Sequence, residues 1–78
     1  MNPELRAFVA EIVRSTLRQE SPAMIELTIQ HMETFVPRKL KALQGTQRMT
    51  GRYVLHLIRK EAQQFSTRKE NTLQVLLL

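Results

Sequence analysis

The sequence predicts an all-α fold: a compact bundle of four or five short helices in a single domain spanning residues 1–78. Three observations predict it. Apolar residues recur at spacings of three and four along most of the chain. Two Asn/Ser-Pro pairs, Asn2-Pro3 and Ser21-Pro22, have the form of helix starts. The chain is also too short for more than one domain.

The first helix is expected over about residues 3–19. Asn2 is a good N-cap, and Pro3 fits the first helical position, where its missing N–H is no loss. Glu4 in the first turn complements the helix dipole. Leu5, Phe8, Val9, Ile12, Val13 and Leu17 form one apolar stripe. Ser21-Pro22 opens the second helix, whose stripe is broad: Met24, Ile25, Leu27, Thr28, Ile29, Met32, Phe35 and Val36. Pro37 is expected to end or kink it, because proline removes a backbone donor and disfavours a helical residue before it. Residues 38–44 then form a short separate helical piece, with Leu40 and Leu43 inward.

Gly45 suits a left-handed cap, and Thr46 or Thr50 caps the next helix. That helix is expected from about residue 47 to residue 65, with Gly51, Leu55, Ile58, Ala62 and Phe65 on one seam. Gly51 and Ala62 admit a close-packed partner helix there; equally, Gly51 is merely the first turn of a helix capped by Thr50. Ser66-Thr67 interrupts the pattern, and Thr67 with Glu70 has the spacing of a capping box. A last helix over 67–77 brings Leu73, Leu76 and Leu77 inward; a strand over 72–78 is the weaker alternative. The expected core is Leu5, Phe8, Val9, Ile12, Val13, Leu17, Ile25, Met32, Phe35, Leu43, Val54, Leu55, Ile58 and Phe65.

Composition bounds the function. Without cysteine there is no disulfide and no thiolate ligand. At 42 % hydrophobic residues the chain is not a disordered tail. Its longest apolar run, Val75 to Leu78, is far short of a membrane span, and no signal-peptide pattern opens the chain. A soluble, cytoplasmic protein is expected. No aspartate is present, and His31, His56, Tyr53 and the glutamates show no nucleophile, phosphate-loop or dinucleotide pattern. The chain is not expected to be an enzyme, and no cofactor and no metal site are expected. His31, beside Leu27 and Phe35, reads as a half-buried packing histidine.

Charge is the strongest functional signal. Residues 1–37 hold three arginines against five glutamates, a net −2. Residues 38–78 hold nine Lys and Arg against two glutamates, a net +7. A one-sided basic surface is what a polyanion partner requires. On a helical wheel Arg48, Arg52, His56, Arg59 and Gln63 share one polar face, and Arg38, Lys39 and Lys41 extend it from the preceding helix. These six cations are the expected nucleic-acid contacts, with DNA and RNA both open. Residues 41–54 resemble a helix-turn-helix in one respect: Leu43 stands two before the turn glycine Gly45, and a polar stretch and a helix follow. Gly51 falls where that motif packs a branched apolar residue, so no family is assigned. A basic amphipathic helix also suits an anionic membrane surface, but this one lacks Trp and its apolar seam is needed for the core.

The function expected is that of a small basic helical protein that binds nucleic acid or regulates through an arginine-lined helix face. The alternative is a helical interaction or oligomerisation module, an adaptor or assembly factor with no nucleic-acid role. Its motivation is the Gly51–Ala62 seam and the leucine tail, with Leu76 and Leu77 as partner contacts. A homo-oligomer or a protein partner is expected in either case, because small domains without staples lean on partners.

Overall fold

Helix α1, Pro3–Thr16, starts where Asn2 accepts a hydrogen bond from the Leu5 N–H through its side chain, at 2.7 Å. Helix α2, Pro22–Leu43, starts the same way, with Ser21 Oγ accepting from the Met24 N–H. Helix α3, Gly51–Leu77, is capped by Thr50, whose Oγ1 accepts from the Tyr53 N–H at 3.2 Å. A computed structural model describes residues 1–77 and holds these three helices, not four or five. Leu78, the last residue of the terminal apolar run, lies outside the described residues.

Two expected breaks are absent. Pro37 lies inside α2, which continues unbroken to Leu43. The carbonyl left without a donor by Pro37 is that of Glu33, an exposed residue. On the buried side, Met32, Val36 and Leu40 run at spacings of four and hold both halves of the helix against the same core. Ser66-Thr67 likewise leaves α3 intact, so Thr67 lies inside the helix and caps no new one. Serine and threonine each weaken a helix interior by only about half a kcal/mol relative to alanine. Burial of Ala62, Phe65 and Ser66 outweighs that. The first helix is shorter than expected: the chain leaves it at Leu17, whose side chain turns into the core.

The helices alternate in direction, and each packs on both others. Ion pairs show the register: Arg6 of α1 reaches Glu33 of α2 at 2.9 Å, and His31 of α2 meets Glu61 of α3. The core joins Val9 and Val13 of α1, Ile29, Met32 and Val36 of α2, and Ile58 and Ala62 of α3. Thr28 is buried among them and donates to its own helix, to the Met24 carbonyl at 2.8 Å. Several core expectations are corrected. Phe8 is 53 % exposed, because the buried stripe of α1 centres on Val9 and Val13 and Phe8 is turned to its edge. Leu5, Ile25, Phe35, Leu43, Val54 and Leu55 are half-buried, while Ala10, Met24, Ile29, Val36 and Ala62 are core residues outside the expected set.

The two glycines differ in what they do. Gly45 has φ +79°, Gln44 before it has φ −58° and ψ 129°, and the Thr46 N–H bonds the Leu43 carbonyl at 3.0 Å. That is a type II turn, which requires a positive φ at its third residue. Gly51 is the exposed first residue of α3 with open space where a Cβ would stand, so it is no seam for close approach. Gly45→Ala is therefore expected to cost about 1–2 kcal/mol through the backbone alone. Gly51→Ala is expected to add about 0.4–1 kcal/mol by restricting the unfolded chain. Urea unfolding of the two variants checks both signs.

Candidate nucleic-acid interface

Between Glu33 and Glu61 the chain has no carboxylate, yet it carries Arg38, Lys39, Lys41, Arg48, Arg52, Arg59 and Lys60. This stretch forms the C-terminal part of α2, the loop over 44–50 and the first half of α3. Because α2 and α3 are antiparallel neighbours, the stretch folds back on itself and gathers its charge at one end of the bundle. All seven cations are exposed.

Three of the seven glutamates, Glu26, Glu33 and Glu61, are engaged elsewhere. Glu26 and Glu33 both bind Arg6, at 3.6 and 2.9 Å. Glu61 is held by His31 at 2.5 Å and by Arg68 at 3.3 Å. Among the described residues, none of the seven cations forms an ion pair with a carboxylate.

Their arrangement differs from the expected single row. Arg52 and Arg59 do share a flank of α3, two turns and about 10 Å apart. Arg48 is not on the helix. It lies in the loop, with its guanidinium 5.8 Å from the centre of the Tyr53 ring, because α3 begins only at Gly51. The helix-turn-helix resemblance fails for the same reason: a loop from 44 to 50 is longer than the three- or four-residue turn of that motif.

Arg38 and Lys39 line a shallow depression on the face of α2, with His31, Thr34, Phe35 and Ala42, beside the groove between α2 and α3. Lys39 also lines its continuation with Phe35, Leu57, Lys60, Glu61 and Gln64. Lys39 Nζ sits 5.6 Å from the centre of the Phe35 ring. Lys60 follows Arg59 in sequence but is turned about 100° around α3, toward the groove. Lys41 projects from the last turn of α2, where a cation complements the dipole. The cations thus wrap the end of the bundle on two flanks. Lys60 was absent from the expected set; its place in the carboxylate-free stretch was the available signal.

His31 is a packing residue. Its ring stacks between Phe65, at 4.4 Å between centres, and Phe35, at 5.8 Å, while Nε2–H donates to Glu61. This stack ties α2 to α3 beneath the groove. Among the described residues, no three His, Cys, Asp or Glu side chains come together as metal ligands.

The expected partner contacts separate. Ala62 is wholly buried in the core of its own chain and presents no surface to another molecule. Gly51 is exposed at the basic end. Leu76 and Leu77 are 76 % and 86 % exposed at the far end of α3. No described helix is long and apolar enough to cross a membrane. Comparison with protein-family models, with curated proteins and with solved structures finds no match for this chain.

Proposed function

We propose that this chain binds nucleic acid through the basic end of its bundle, with Arg38, Lys39, Lys41, Arg48, Arg52, Arg59 and Lys60 contacting phosphates. One observation carries the reading. Seven exposed cations stand at one end of a small domain, and among the described residues none is paired with a carboxylate. Like charges held together without partners repel, so a fold that keeps them there benefits from a polyanion that neutralises them. Phosphates do so and release counterions, which makes affinity steeply salt-dependent. Cations divided between two flanks suit backbone contacts more than base readout. The proposal includes no chemical reaction.

The test is a salt titration of binding to generic duplex and single-stranded DNA and RNA. Affinity is expected to fall linearly on a log–log plot. Replacing both Arg52 and Arg59 by glutamate is expected to weaken binding at least about tenfold and to flatten the salt slope by about two. Both side chains are exposed and unpaired, so helix content serves as the control for folding. Undetectable binding at low salt, or indifference to the double replacement, defeats the reading. A helical interaction role without nucleic acid is the second reading, favoured by the exposed leucines at the other end of the molecule.

A further inference from the structure

We propose that the nucleic acid taken by the basic end is single-stranded, with an unpaired base stacked on the ring of Tyr53 while the surrounding cations hold its phosphates. The inference rests on the nucleic-acid reading above and names the form of polyanion that the site accepts.

Tyr53 is an aromatic residue that the core does not use. It stands five residues before the buried Ile58, which places it about 140° around α3 from that side chain. It therefore lies on the outer side of the helix and takes no part in the core. The other aromatic ring near this end, Phe35, packs against the core and stacks on His31. Tyr53 is half-buried, and its ring meets exposed side chains instead. The Arg48 guanidinium of the preceding loop is 5.8 Å from its centre, and the His56 ring, one turn on, is 6.3 Å away at a tilt of 36°.

The cations of the candidate interface surround this pair of rings. Lys60, seven residues after Tyr53, stands nearly in line with it, about 10 Å along the helix. In projection down α3, His56 falls between Tyr53 and the flank that carries Arg52 and Arg59. The rings and the cations thus share one surface.

That interleaving selects among polyanions. Phosphates alone require only cations, and a duplex offers phosphates in plenty. Inside a duplex each base is covered by its stacked neighbours, so its face is closed to a side chain. An unpaired base presents that face, and an aromatic ring stacks on it. A ring set among cations is therefore used by a single strand and idle against a duplex backbone. Arg48, in an exposed loop, turns from the ring to a phosphate and frees the face for the base. Stacking is tolerant of sequence, because every base has a π-face, and so it is compatible with a site built from phosphate contacts.

Tyr53 is the only tyrosine and the chain has no tryptophan, so intrinsic emission reports on this ring. The full chain is titrated at low salt with oligothymidylate, with oligouridylate and with a DNA duplex of equal length, affinities being read from the anisotropy of labelled strands. A single strand is expected to quench the tyrosine emission and to bind more tightly than the duplex. The tighter of the two single strands tells deoxyribose from ribose. Tyr53→Leu is expected to weaken single-strand binding about five- to a hundredfold and to leave duplex binding within about twofold. Tyr53→Phe, which keeps the ring, is expected to retain single-strand affinity. Tyr53 is outside the core, and helix content is the control for folding in both variants. A duplex bound as tightly as the single strands, emission unchanged in the complex, or a single-strand affinity indifferent to Tyr53→Leu overturns the inference and leaves phosphate binding standing. Failure to bind any of the three defeats the nucleic-acid reading itself, and this inference with it.

Discussion

Ile58→Ala is expected to lower the unfolding free energy by about 2–5 kcal/mol, and Phe8→Ala by about 1 kcal/mol or less. Both residues belong to apolar stripes, yet only one is inside. Ile58 is 1 % exposed and packs where all three helices meet, between Val54 and Ala62 on its own helix and the cores of α1 and α2. Removing its branched side chain leaves a cavity that rigid helix backbones on three sides cannot close, so a cavity term adds to the lost transfer energy. Phe8 is already more than half in water, and its truncation leaves no void. Chemical denaturation of both variants, monitored by far-ultraviolet circular dichroism, separates them. Equal losses would contradict the core described here.

Pro37→Ala is expected to stabilise the protein by about 1–2 kcal/mol. Proline in a helix interior costs about 3 kcal/mol relative to alanine, through the missing N–H and the clash with the preceding turn. Here α2 runs straight through it, so alanine restores the bond to the Glu33 carbonyl. The ring of Pro37 is half-buried, and losing its contacts offsets about 1 kcal/mol of the gain. Thermal and urea unfolding measure the difference. A loss of stability in the alanine variant would mean that the Pro37 ring contributes more by its packing than its missing N–H costs.

These two positions mark the limit of local reading. Pro37 has the strongest break signal in the chain, and the break does not occur. The sequence rule weighs a residue against its neighbours, whereas the outcome was decided by Met32, Val36 and Leu40 sharing one core with residues about thirty positions away. Phe8 shows the same limit on a helix that was otherwise correctly anticipated. Which edge of a stripe is covered depends on where the other helices lie, and periodicity does not contain that. In the candidate interface, the basic residues and their lack of acidic neighbours were legible. Their division into two flanks was not, because it follows from α3 starting at Gly51 and from the groove it makes with α2. The engagement of Glu61 by His31 joins residues thirty positions apart and left no local trace.

By itself, the sequence determined that the fold is helical, where the first two helices start, that Gly45 takes a left-handed turn, and that charge is concentrated after Pro37. Each of these rests on groups within a few residues of one another: a cap oxygen and the N–H three residues on, a backbone without a Cβ, a stretch without carboxylates. Only the tertiary structure decided that three helices form rather than four or five, that Phe8 stays outside while Ala62 goes in, and that the leucine face of α3 extends past its cover. Those outcomes depend on burial between distant segments, and burial energy outweighs local preference wherever a continuous apolar stripe finds a partner surface.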